Sequence, residues 1–89
     1  AMRGYYEGKD ELHARLRRIE GQVRGLQRMV DDDVYCIDIL TQIAAASNAL
    51  KKVAVGLLED HIRHCVARGD NDKDMVREAA AAIERLVKA

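Results

Sequence analysis

The chain contains no proline, phenylalanine or tryptophan, and three tyrosines are its only large aromatic side chains. Ala, Leu, Ile, Val, Glu, Lys and Arg dominate instead, which leaves little to build a sheet from and nothing to break a helix. The composition therefore predicts an all-α fold. Long apolar runs are missing as well: charges interrupt every segment before it reaches bilayer-spanning length, and no N-terminal apolar stretch resembles a secretory signal. Net charge is absent, with 15 basic against 15 acidic residues, so the overall balance does not announce a nucleic-acid partner. There are only two cysteines, and on one helix they stand too far apart for an intrachain disulfide, which points to a reducing cytosol with no membrane partner. At 89 residues the chain suits one small domain whose core is marginal alone, so oligomerisation is expected.

What is present is helical periodicity. Residues 1–8, with Gly4, Tyr5, Tyr6 and Gly8, show none and read as a flexible arm; a single helical domain follows over 9–88. From Asp10, a suitable N-cap, apolar positions recur at Leu12, Leu16, Ile19, Val23, Leu26 and Val30 in alternating steps of four and three. Gly21 and Gly25 lie inside this helix at a cost of roughly 1 kcal/mol each, which close approach of a neighbouring backbone would offset. Asp31, Asp32 and Asp33 end it in a tight helical hairpin and put acid where the next helix dipole favours it. The second helix is predicted from Val34 to Val66, with Gly56 the one place where it would bend. A loop at 68–72 leads to a third helix over Lys73 to Lys88, with a seam of Val76, Ala80, Ile83 and Val87.

The second helix organises the chain. Its seam runs Cys36, Leu40, Ile43, Ser47, Leu50, Ala54, Leu57 and His61, with Cys65 one turn further on the same face. His61 and Cys65 are close enough to grip one ion, but Cys36 is roughly 38 Å from them along an unbroken helix. An antiparallel second copy, paired about a two-fold near Asn48 and Ala49, brings Cys36 of one chain opposite His61 and Cys65 of the other. Ala44, Ala45, Ala46, Ser47 and Ala49 would lie where such helices cross. Two thiolates and one imidazole form a soft set that suits three-coordinate Cu(I), one ion per protomer, with affinity falling as pH drops. The alternative is that these three are simply buried seam residues. His64 and His13 read as surface histidines. Tyr35 and Glu78 are oxygen acceptors able to orient a ligating imidazole. The basic residues of the first helix, Arg15, Arg17, Arg18, Arg24 and Arg28, accompany no known DNA-binding motif and read equally as a solvated face. No nucleophile and base are paired, so an enzyme is not expected.

Arg15-Leu16-x-x-Ile19-x-Gly21-Gln22-Val23-x-Gly25-Leu26, then Val34-Tyr35-Cys36-Ile37-Asp38, Ile39-Leu40-x-Gln42-Ile43 and His61-x-x-x-Cys65 together resemble the CsoR/RcnR family of bacterial repressors over nearly all of Asp10 to Val87. The resemblance implies a three-helix protomer, an antiparallel four-helix-bundle dimer and a dimer of dimers. It also implies binding of double-stranded operator DNA that an inducer reverses. Cys36, His61 and Cys65 match the family's Cu(I)-sensing branch, where the first cysteine and the His-Cys pair come from different protomers, and Tyr35 and Glu78 match that branch's supporting tyrosine and glutamate. The nickel and cobalt sensors recruit an N-terminal histidine, and none precedes His13. Formaldehyde sensors typically lack the second cysteine, and persulfide sensors lack the histidine. For DNA the resemblance points to Arg15 and Lys52; charge alone adds Arg18, Lys51 and Lys9. The expectation is a cytoplasmic Cu(I)-released repressor, with a thiol-redox or persulfide-responsive repressor of the same fold, or a copper buffer, as rivals.

Overall fold

The computed structural model describes residues 8–67 and 73–88, the side chains of 65–67 excepted. Residues 1–7 of the arm expected at 1–8, and the loop at 68–72, lie outside these residues. Three helices account for nearly all of the described chain, α1 (Lys9–Asp31), α2 (Cys36–Ala67) and α3 (Lys73–Lys88), with no strand among the described residues. Asp10 falls inside the first turn of α1 rather than at its cap, where with Glu11 it meets the favourable end of the helix dipole.

The exit from α1 decides where α2 begins. The Val34 N–H donates to the Met29 carbonyl at 3.0 Å and the Asp33 N–H to the Val30 carbonyl at 3.2 Å. Asp33 takes a left-handed φ of 54°. This is a Schellman C-cap, with a short polar aspartate in the position glycine usually fills. Residues 33 and 34 are thereby committed to ending α1, so α2 starts at Cys36 rather than at Val34. The Tyr35 carbonyl accepts from the N–H groups of Asp38 at 3.0 Å and Ile39 at 3.3 Å, which makes Tyr35 the N-terminal cap residue and Cys36 the first residue of the helix.

One compact unit is the hairpin Lys9–Val53; the other contains α2 from Ala54 and α3. The hairpin buries Ile19, Ala46 and Val53. Leu12 and Leu26 on α1 and Ile39, Gln42 and Ala49 on α2 are half-buried around them. The covered stripe of α2 is therefore Ile39, Gln42, Ala46, Ala49 and Val53, in steps of three and four. Ala46 and Ala49 belong to this covered stripe, which corrects their expected place in an intermolecular crossing.

The seam read from sequence is a second stripe, roughly 80–100° round the helix. There Leu40, Ile43 and Leu50 remain 52, 46 and 48% exposed. On α1 the periodic residues divide in the same manner: Leu12, Ile19 and Leu26 are covered to some degree, whereas Leu16, Val23 and Val30 are exposed. On α3 all four residues of the expected seam, Val76, Ala80, Ile83 and Val87, are exposed, and the adjacent Met75, Ala79 and Leu86 are half-buried. Ser47, Ala54, Leu57 and His61 of the α2 seam are half-buried, so on α2 it is exposed chiefly at Cys36, Leu40, Ile43 and Leu50; each helix thus covers one apolar stripe and leaves a neighbouring one at least partly exposed.

α2 runs through Gly56 without a break. A Cβ built at Gly21, Gly25 or Gly56 meets nothing within 4 Å, so among the described residues no close backbone approach offsets these glycines. Gly56 also lies far round α2 from the uncovered stripe. Gly56→Ala is therefore expected to stabilise the protein by about 1 kcal/mol, the helix-propensity difference. A thermal melt checks this; destabilisation would mean that a neighbour sits against this position in the assembly.

Candidate functional site

Two sets of functional side chains emerge. The first follows the uncovered stripe of α2. Cys36 is exposed and forms no disulfide. As the first residue of α2 it sits where the helix dipole favours negative charge. His61 is half-buried about seven turns further along the same unbroken helix, and Cys65 follows one turn later. Among the described residues no three His, Cys, Asp or Glu side chains converge in a single chain. The side chain of Cys65 lies outside the description, and Cys36 stands about seven turns from His61 along α2, so a single chain does not bring the three candidate ligands together. His64 is committed locally: its Nδ1 lies 2.8 Å from the Asp60 carbonyl, to which it donates. Tyr35 and Glu78 are exposed, Tyr35 immediately before Cys36 and Glu78 on α3.

The second set lines a notch of about 350 Å³ in the α1–α2 hairpin, formed by Arg15, Arg18, Ile19 and Gln22 of α1 and Ala49, Lys52 and Val53 of α2. Three of the five DNA-contact candidates, Arg15, Arg18 and Lys52, come together here. Lys9 and Lys51 are exposed and do not line the notch. Arg15 is shared with Glu11, at 2.9 Å across one helical turn, an exposed pair that contributes little to stability. Gln22 was not singled out from the sequence. The signal that would have found it is the spacing of Arg15, Arg18 and Gln22 at i, i+3 and i+7, one face of a helix.

Soft donors on α2 and cations gathered in a separate notch are the features of this helical chain that a metal ion and an anion would use. The chain belongs to the family of metal-sensitive transcriptional repressors, whose family model matches residues 8–89. It is 50% identical over 94 residues to the copper-sensing transcriptional repressor RicR of Mycobacterium tuberculosis, a match covering 100% of this chain and 98% of that protein. In three dimensions it is similar to the copper-sensing repressor CsoR with Cu(I) from Geobacillus thermodenitrificans, with a TM-score of 0.80, 45% identity, and 93% of this chain and 90% of that chain covered. It is also similar to the nickel-responsive transcriptional regulator InrS, with a TM-score of 0.79, 35% identity and coverage of 92% and 96%. The three-helix fold and the repressor class expected from the sequence are thus found. No helix among the described residues is long and apolar enough to cross a membrane.

Proposed function

We propose that this is a cytoplasmic Cu(I)-responsive repressor that binds operator DNA when copper-free and leaves it when copper-bound. Each copper site takes Cys36 from one protomer and His61 and Cys65 from its partner in an antiparallel dimer, one Cu(I) per protomer, and two such dimers associate as a tetramer. The observation that carries this reading is the position of Cys36: exposed, at the head of an unbroken α2, on the stripe its own chain leaves uncovered. A second α2 laid antiparallel on that stripe meets Cys36 with the partner's His61 and Cys65 and covers Leu40, Ile43 and Leu50. Two thiolates and an imidazole suit Cu(I) better than Ni(II), which prefers harder nitrogen and oxygen donors. The similarity to RicR and CsoR, both named as copper-sensing, supports the same choice.

The chain then acts as a binding protein rather than a catalyst, and its mechanism is linkage. If copper lowers operator affinity by some factor, operator lowers copper affinity by the same factor, with a coupling of about 1–3 kcal/mol being ordinary. Tyr35 beside Cys36 and Glu78 on α3 are the acceptors able to fix the imidazole of His61 through its other ring nitrogen. Orienting that ring is how a ligand on α2 would move α3. Arg15, Arg18 and Lys52, with Lys51 and Lys9, supply the cationic side of the operator interface, so affinity should fall steeply with salt.

The test is an anaerobic gel shift with the chain's own promoter DNA, titrated with Cu(I) and in parallel with Ni(II). Copper-free protein should bind and Cu(I) should weaken binding by about 5- to 150-fold, while Ni(II) leaves it in place. Release by Ni(II) alone would reassign the metal. Tight Cu(I) binding without any DNA binding would make the protein a copper buffer, and release only by oxidants would make it a thiol-redox or persulfide sensor.

A further inference from the structure

α2 ends at Ala67, two residues after Cys65, so His61 and Cys65 stand at the end of the helix where local opening is cheapest. The carbonyls of the last turn have no partner further along the helix, and fraying that passes Cys65 reaches the turn that carries His61. Across that turn lies a polar contact that no ligand role absorbs. The half-buried ring of His64 folds back so that its Nδ1 donates to the Asp60 carbonyl at 2.8 Å. A carbonyl oxygen only accepts, so Nδ1 is the nitrogen that carries the proton. The same carbonyl is the acceptor, four residues back, of the His64 backbone N–H in the helical ladder. His64 therefore closes the 60–64 turn twice. Asp60 anchors a further tie, its carboxylate 3.3 Å from Nη1 of Arg63, but solvent screens that pair and it contributes little.

The other end of α2 carries the same device. Thr41 Oγ1 donates to the Ile37 carbonyl at 2.9 Å, across the turn that follows Cys36. Both contacts thus lie beside a candidate ligand. Side chains that bond back to a carbonyl one turn earlier add little to helix stability, so what they supply is geometry: a fixed carbonyl and a fixed turn. His64 stands about 60° round α2 from His61, beside the ligand stripe rather than on it. It can hold the turn while leaving the stripe to His61 and Cys65.

We infer that His64 is a positioning residue for the copper site of the proposed function, on which this inference rests. By clamping the 60–64 turn to the Asp60 carbonyl it holds His61 and Cys65 one turn apart on a common face before any ion arrives. The partner's Cys36 then meets a preformed pair. Because the ion does not have to order that turn, it binds more tightly. His64 itself contributes no ligand, and the site stays three-coordinate.

Two variants of the full chain test this, His64→Val and His64→Thr. His, Val and Thr have similar helix propensities, and Val and Thr nearly share a shape, but only Thr can donate to the Asp60 carbonyl as Thr41 does to that of Ile37. In copper-free protein, hydrogen exchange at the amides of Cys65, Val66 and Ala67 should be about fivefold faster in His64→Val than in wild type, the worth of one hydrogen bond. In His64→Thr it should return to within about two-fold of wild type. Anaerobic competition against a Cu(I) chelator should show affinity about tenfold weaker in His64→Val. His64→Thr should recover most of that loss, and X-ray absorption should count three ligands in wild type and in both variants.

Exchange rates and copper affinity of His64→Val within about two-fold of wild type would overturn the clamp. So would failure of His64→Thr to recover them, or loss of a nitrogen ligand from the copper spectrum of His64→Val, which would make His64 a ligand. If wild-type protein binds Cu(I) tightly and only the His64 results fail, the copper reading stands and the positioning role falls. If the exchange rates respond as expected but wild-type protein binds no Cu(I) tightly, the copper reading is what fails, and the positioning role fails with it.

Discussion

Cys36→Ala is expected to eliminate tight Cu(I) binding from both sites of the dimer, while copper-free protein still binds its operator. The loss should exceed the 10- to 100-fold cost of removing a group that merely supports a ligand, because a thiolate of the ligand set is itself removed. Anaerobic competition against a Cu(I) chelator reads the result directly: about one tight copper per protomer in the wild type and none in the variant. If affinity and stoichiometry survive, the ligands lie within one chain, at His61, Cys65 and a third group nearby, and the antiparallel arrangement is wrong. Operator binding should survive because Cys36, at the head of α2, is far along the helix from the notch residues Ala49, Lys52 and Val53.

Complementation strengthens this test. Cys36→Ala and Cys65→Ala chains should each bind copper poorly alone. A mixed dimer retains one intact site, with Cys36 from the Cys65→Ala chain and His61 and Cys65 from the Cys36→Ala chain. Recovery of one tight copper per mixed dimer therefore requires ligands from two chains, since a site built within one chain stays broken in both. Proton competition should act on the recovered site as on the original: copper binding requires deprotonated thiols and a neutral imidazole, so affinity falls as the pH is lowered.

Legibility of the fold followed the strength of the physical signal. The helices of the hairpin were readable because Leu12 to Val30 and Cys36 to His61 repeat without interruption and no proline intervenes. Their junction was less readable. Asp33 takes the left-handed position of a Schellman cap without the glycine that normally advertises it, so the start of α2 was placed at Val34 instead of Cys36. The uncovered stripe of α2 stood out because it is made of leucine, isoleucine and cysteine. The covered stripe was overlooked because glutamine and small alanines, at Gln42, Ala46 and Ala49, carry almost no hydropathy contrast. The notch was hidden for a related reason. Resemblance and charge mark Arg15, Arg18 and Lys52 as cationic candidates, but only the fold sets them around Gln22, whose neutral amide gives no signal in a count of charges.

The largest structural effect is expected from Leu50→Glu. Leu50 is 48% exposed in the isolated protomer and lies next to the two-fold that the register of Cys36 against His61 and Cys65 demands. Near a two-fold axis a residue approaches its own copy, so the substitution introduces two carboxylates facing each other at the centre of an apolar stripe. An uncompensated buried charge costs about 3–5 kcal/mol. Counted for both chains, the penalty corresponds to a weakening of the dimer by four orders of magnitude or more, at about 1.4 kcal/mol per factor of ten. Sedimentation at micromolar concentration should then show monomer, with part of the helical signal lost, since among the described residues of one protomer only Ile19, Ala46 and Val53 are buried. Ala45→Glu, carrying the same charge at an exposed position half a turn round α2 from the stripe, and so outside the crossing the sequence suggests for it, should remain associated. Because each copper site draws on two chains, Leu50→Glu should also lose tight Cu(I) binding although all three ligands are intact. A Leu50→Glu protein that stays dimeric would show that the uncovered stripe does not meet its own copy, and with it the pairing of Cys36 with the partner's His61 and Cys65 would fail.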